Sequence, residues 1–313
     1  MMKPTVTIGL CVRNCETSIK EAISSILNQD FSHERMEVIF VDDGSKDRTL
    51  SIILDSIPGM DTQTKVFHGK WKGLGWVRNV VVDNAEGQYI IWVDGDMILP
   101  FDHVRKQVVF MQRNPRVGIA KARYGIHPGE NLVAALENIV FLAFDFEYAG
   151  KANPKVLGTG GSIYRVSAIR HIGGFDSDIT GTGEDMDAEY RIRNAGWLLY
   201  RATPATFYER CRKTWKDLWS EGFWHGYGVH YIFSKNRGQI VLYRMAPPVA
   251  FAVAAWLSTI AYKLTYQRWV FLLPIQYAFK RIAWCFGFAK GQIDGHQPAT
   301  NNRSTQKKGN SFT

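Results

Sequence analysis

Short, nearly continuous apolar runs alternate with amphipathic stretches through the first 125 residues. Apolar runs of roughly four to eight residues read as buried strands, and apolar positions recurring about every three or four residues read as helices. "TVTIGLCV" (5–12), "MEVIFV" (36–41), "TKVFHG" (64–69) and "QYIIWV" (88–93) have the strand pattern, and a further strand is expected over 117–123. Between the first two lies a helical stripe of Ile19, Ala22, Ile23, Ile26 and Leu27. Ser18 is its expected N-cap, with Glu21 as capping-box partner. Helices are also expected over 48–57, 75–85 and 102–113. This alternation predicts an α/β fold with a mostly parallel sheet covered by helices on both faces. In such sheets ligands bind at the carboxyl ends of the strands.

The pattern changes after residue 125. Glycine-rich loops mix with short helices, one expected over 184–194 and stopped by Gly196. Its Asp187/Arg191 and Glu189/Arg193 pairs are spaced i,i+4 and read as a solvated face. Short strands are expected over 197–201 and 206–209, followed by the aromatic segment "TWKDLWSEGFWHGYGVHYIF". Met245 to Tyr262 then holds 18 uncharged residues, the lower limit for a membrane-spanning helix. A second apolar stretch, Trp269 to Ala289, is interrupted by Lys280 and Arg281. The two read as a membrane-attached hairpin, with a buried helix pair as the alternative. The expected division is a catalytic unit over 1–235, halved at 125/126, membrane-associated apolar helices over 236–292, and a polar, disordered tail over 293–313.

Hydrophobic residues make up 46% of the 313, enough for a sizeable core, and the net charge is +9. From Lys263 onward there are eight Lys and Arg against one Asp. A basic end beside apolar segments suits an anionic membrane surface, and no nucleic-acid-binding motif accompanies it. The four cysteines complete no zinc-site spacing and read as free thiols in a reducing compartment. "MMKPTVTIGL" has no long apolar region, so no signal peptide is expected.

Three acidic motifs carry the chemistry. Asp94-Gly95-Asp96 follows a buried strand. Two carboxylates that close repel each other, and a hard divalent cation such as Mn²⁺ or Mg²⁺ would resolve the repulsion. "VDDGSKD" (41–47) also ends a strand, where a carboxylate can meet a nucleotide. No glycine-rich dinucleotide or P-loop motif is present. "GTGEDMD" (181–187) sets Glu184 and Asp185 at a helix start, where they read equally as capping acids or as a general base.

Taken in order, "TIGLCVRNCE", "VIFVDDGSKDRT", "GLGWVRNVVVDNAEGQYIIWVDGDMIL", "GTGGSIYRVSAIRHIGGFD" and "GTGEDMDAEYRIRNAGW" resemble the family 2 glycosyltransferases over roughly residues 5–230. The resemblance implies the GT-A fold and an inverting transfer from a nucleotide-diphospho-sugar, with a UDP-sugar favoured and a divalent cation as cofactor. It implies that Asp42 contacts the base, that Cys11, Val12, Arg13 and Glu16 line the nucleotide pocket, and that Arg78 approaches the base or diphosphate. Asp94 would face the ribose or metal, and Asp96 would hold the metal. Gly160, Gly161, Glu184 and Trp215 would lie on the acceptor side, with Asp185 as the base. Cys11 and Arg13 stand where many relatives have proline and tyrosine. The Q-x-x-R-W signature of processive members is absent, so single-residue transfer is expected. The acceptor would be a hydroxyl of a glycan or lipid-linked saccharide, with polyprenyl phosphate as the alternative. The catalytic unit would be cytoplasmic and membrane-associated.

Overall fold

Ile8, Leu10, Val38 and Phe40 point to one face of a central sheet, and Ile39, Val41, Ile90 and Trp92 to the other; all are at most 2% exposed. Strands whose two faces are both apolar must be covered on both sides. The structure, a computed structural model, describes residues 3–125, 131–148, 157–179, 182–235 and 242–295. Of the expected tail, 296–313 lie outside these residues.

The elements run β1 (Val6–Val12), α1 (Ile19–Leu27), β2 (Met36–Asp42), α2 (Thr49–Ser56), β3 (Gln63–His68), α3 (Leu74–Asn84), β4 (Tyr89–Trp92), β5 (Met97–Ile98), α4 (His103–Arg113) and β6 (Val117–Tyr124). They continue with α5 (Leu132–Tyr148), β7 (Ser162–Arg165), α6 (Val166–His171), α7 (Glu184–Asn194), β8 (Leu198–Glu209), α8 (Trp215–Lys235), α9 (Pro247–Thr265) and α10 (Leu273–Asp294). The sheet order is β3-β2-β1-β4-β7-β6-β8-β5. Strands β1 to β4 pair in parallel, as expected. The mostly parallel expectation gives way to a mixed sheet beyond β4, because β7 is antiparallel to both neighbours and β5 to β8. The two short strands expected over 197–209 are one strand with register shifts against β6. At the start of α1, Ser18 bonds the Cys15 carbonyl, and the expected cap hydrogen bond is not formed.

One core lies under α1 and α4, the other under α3, α6 and α7. Each fully buried Leu, Ile or Phe there contributes about 1.5–3 kcal/mol. The C-terminal helices pack differently. Gly222 and Gly226 of α8 face α10, and a Cβ at Gly226 would overlap the Trp284 carbonyl. Gly287 and Gly291 of α10 answer them, with Gly287 against the Phe223 carbonyl. Small residues four apart on each helix let the two backbones meet closely. Helix α9 is long and apolar enough to cross a membrane, whereas α10 does not meet that measure. Lys280, which interrupts the second apolar stretch, is enclosed between Glu137 of α5 and Glu221 of α8.

Candidate active site

The carboxyl ends of β1, β2 and β4 open on one side of the sheet. The backbone N–H of Asp43, just past β2, donates to the Val12 carbonyl at 2.9 Å, joining the loops that follow β1 and β2. A cleft of about 240 Å³ lies here, lined by Cys11, Val12, Arg13, Asp43, Trp71, Gly73, Leu74 and Val77. The end of β1 brings Cys11, Val12 and Arg13 to it. Asp42 is turned away, buried, with its carboxylate accepting from the Ser45 hydroxyl and, at 3.2 Å, the Ser45 N–H. Its neighbour Asp43 is the carboxylate on the cleft wall, accepting from Lys72 N at 2.7 Å and Gly73 N at 3.0 Å. Burial raises its pKa against those two hydrogen bonds. Trp71, about half exposed, carries the Arg13 guanidinium 5.6 Å above its ring. The Cys11 thiol is pushed up to about 12 by burial and stays protonated. Glu16 is spent on the adjoining loop, accepting from Arg48 N at 3.0 Å while its own N–H donates to Asp47.

Asp94 and Asp96 follow β4 in a tight turn closed by Met97 N donating to the Asp94 carbonyl at 3.1 Å. A Cβ on the intervening Gly95 would come within 2.6 Å of Cys15 Sγ, so a larger residue between the carboxylates would have to displace that thiol. Burial and the charge of Asp94 push Asp96 up to about 6, against the pull of Arg212, whose guanidinium lies 3.8 Å away. Glu209, at the end of β8, is driven to about 8 by burial and by the same two aspartates. Carboxylates crowded this way are poised for a cation. No cluster of three or more His, Cys, Asp or Glu side chains in metal-binding array occurs among the described residues. The pair therefore fits a cation that takes its remaining ligands from a substrate and water.

The Gly158–Gly161 loop bridges these carboxylates to α7. Gly161 N donates to the Trp92 carbonyl at 3.0 Å, and a Cβ on Gly160 would lie 2.9 Å from Asp94 Oδ2. Asp185 sits in the first turn of α7, partly exposed, with Oδ1 accepting from Met186 N at 2.8 Å. Glu184 and Arg78 form an ion pair and are 2% and 5% exposed, and the Arg78 charge acts on the cleft-lining Cys11. Their pairing follows from burial, since an enclosed charge needs an opposite one. Trp215 packs edge-on against Phe279 of α10 with centroids 5.0 Å apart and is 44% exposed. The supposed solvated face of α7 is also buried. Asp187 pairs with Arg191 and Lys235, and Glu189 receives Leu157 N and Gly158 N at 2.7–3.0 Å.

Glu189 is pushed up to about 8 by burial and by Asp185, so near neutrality it is largely uncharged. Glu189→Gln, which keeps an acceptor oxygen, is expected to preserve stability. Glu189→Ala would leave two N–H groups unpaired and is expected to cost about 1–3 kcal/mol. Chemical denaturation of the two variants checks this.

A family model described as "Glycosyl transferase family 2" matches residues 7–173. It ends before α7, so the position of Asp185 rests on the geometry above. An uncharacterized glycosyltransferase of Haemophilus influenzae is 35% identical over 115 residues, 36% of this chain and 45% of the relative. Matches to the first curated relatives span less than half their length. The poly(ribitol-phosphate) β-N-acetylglucosaminyltransferase TarS of Staphylococcus aureus is 32% identical over 109 residues, 35% of this chain and 18% of TarS. Among solved structures, the mannosyltransferase PcManGT of Pyrobaculum calidifontis, in complex with GDP-Man and Mn²⁺, superposes with a TM-score of 0.67 at 16% identity, covering 94% of this chain and 88% of that one.

Proposed function

The chain belongs to glycosyl transferase family 2, and from that premise we propose that it transfers a sugar from a nucleotide-diphospho-sugar to a hydroxyl of a glycan or lipid-linked saccharide. Transfer is inverting and adds one residue at a time. The nucleobase occupies the cleft beside Asp43 and Trp71, and Asp94 and Asp96 hold Mn²⁺ or Mg²⁺. When bound, the cation offsets charge building on the leaving diphosphate. Asp185 accepts the proton of the attacking hydroxyl. A phosphate acceptor is already ionised near neutrality and needs no such base, which favours the hydroxyl.

One observation carries this reading. The Gly158–Gly161 loop has Asp94 beside Gly160 and Asp185 Oδ2 beside Gly158, so the metal-side carboxylate and the base flank one crevice. A displacement calls for such an arrangement, with the leaving group on one side and the nucleophile on the other.

Phe251 and Trp256 of α9, Phe271 of the turn that follows, and Ile275 and Phe286 of α10 are exposed apolar side chains. Exposed apolar side chains that gather into a patch mark a contact surface, and we assign these to the cytoplasmic leaflet, where the four free thiols stay reduced.

Calorimetric titration with UDP, GDP and dTDP, each with Mn²⁺ and with chelator, tests the donor site. UDP is the first choice. The PcManGT complex, which holds GDP-Man, makes GDP the second. One nucleotide is expected to bind in a metal-dependent way, and Asp96→Ala is expected to abolish that dependence. Because the pKa of Asp96 is raised to about 6, protons compete with the cation below that value. Affinity is expected to hold above pH 7 and fall as pH drops through 6. Absence of binding in folded protein would overturn the reading.

A further inference from the structure

Lys121 of β6 is a lysine 3% exposed to solvent. Such burial is costly unless the ammonium is paired. Yet its Nζ makes no hydrogen bond, and no carboxylate lies within ion-pair distance of it among the described residues. Its contacts are the faces of Tyr124 and Phe207, 5.2 and 5.4 Å to the ring centroids. Glu209 is the acid that acts on it most, from beyond ion-pair distance, and two further nearby acids are engaged elsewhere. Asp145 accepts from Arg201 at 2.7 Å and from Tyr124 N at 2.6 Å, and Glu189 holds the 157–158 backbone.

The position of the ammonium gives it a use. A Cβ built on Gly158 would lie 3.4 Å from Lys121 Nζ and 3.7 Å from Asp185 Oδ2, with no other heavy atom within 4 Å apart from the adjoining residues of the loop. The glycine thus leaves a space walled by a donor and an acceptor. Two residues on, the same loop touches Asp94. In a displacement at the anomeric carbon, the sugar must lie between the cation-side carboxylates and the base. Lys121 borders that interval.

We propose that Lys121 reads the transferred sugar, its ammonium donating a hydrogen bond to a sugar oxygen lodged over Gly158. The assignment rests on the glycosyltransferase reading above and adds a specificity-determining residue to it. Because Lys121 is not among the residues that line the cleft at Asp43 and Trp71, its removal should affect the sugar and spare the nucleotide.

The test compares binding of UDP with UDP-GlcNAc, and of GDP with GDP-mannose, all with Mn²⁺, in wild type, Lys121→Met and Gly158→Ala. Methionine keeps the chain length and removes the charge; alanine enters the space at a position whose φ of +79° also strains it, so thermal unfolding of that variant accompanies the binding ratio. Nucleoside diphosphate affinity is expected to stay within about twofold. Nucleotide-sugar affinity is expected to fall about tenfold or more, the worth of one charge-assisted hydrogen bond. An unchanged ratio of sugar-nucleotide to nucleotide affinity in both variants overturns the proposal and leaves the glycosyltransferase reading standing. So does an equal loss of both ligands in both variants. If Lys121→Met binds nothing, Gly158→Ala decides by the same ratio. Failure of wild type to bind any of the four probes overturns the underlying reading, and the proposal with it.

Discussion

Asp185→Asn is expected to lower sugar transfer by about 10²- to 10⁴-fold, the usual contribution of a positioned general base. Nucleoside diphosphate affinity should stay within about twofold. Asparagine preserves the shape and the hydrogen bond received from Met186 N at 2.8 Å, so folding is not at issue. What disappears is the proton acceptor beside Gly158. The adjacent Glu184→Gln should behave in the opposite sense. Glu184 is 2% exposed and its partner is Arg78; neutralising it strands a buried guanidinium. Loss of stability would appear there, with little change in turnover per folded molecule. Product-release kinetics and thermal unfolding on both variants separate the two roles. A Glu184→Gln enzyme that folds normally and loses turnover would move the base one residue upstream.

The contrast between these neighbours explains what the sequence could and could not convey. Strand positions were legible because burial on both faces of β1, β2 and β4 demands apolar side chains at every position. The acidic motifs were legible because they interrupt such strands. Which member of an acidic pair faces the ligand was not legible, since adjacent side chains past a strand end diverge by geometry the sequence does not encode. Asp42 turns inward to Ser45 and Asp43 outward to the cleft for that reason. Glu184 and Asp185 divide the same way. The i,i+4 acid–base pairs of α7 looked solvated because their spacing suits a surface. They are buried by Lys235 of α8 and by the 157–158 backbone, contacts that arrive from 31 to 48 residues away. Trp71 went unnoticed in "HGKWKG", although an aromatic between basic residues in a strand-to-helix loop was the available signal.

Lys280→Met is expected to destabilise the protein by about 3–5 kcal/mol, the cost of leaving a buried ionic cluster without its cation. Lys280 is the shared partner of Glu137 and Glu221, at 2.9 Å from Glu221 Oε2, and Glu137 is 5% exposed. Methionine retains the apolar stem, so the loss is electrostatic. The triple variant with Glu137→Gln and Glu221→Gln should recover most of the stability, which a simple packing defect would not allow. The cluster also reaches Asp96. Arg212 lies 3.6 Å from Glu221 and 3.8 Å from Asp96, and its N–H donates to Glu137 at 3.1 Å. With Lys280 gone, Glu137 and Glu221 hold Arg212 more strongly and draw its charge from Asp96. The proton affinity of Asp96, already raised to about 6 with Arg212 opposing the rise, should increase further. The pH midpoint of cation-dependent nucleotide binding in Lys280→Met should therefore shift upward relative to wild type, and return in the triple variant. A midpoint unmoved by Lys280→Met would mean that α10 braces the rest of the fold mechanically, without electrostatic coupling to Asp94 and Asp96.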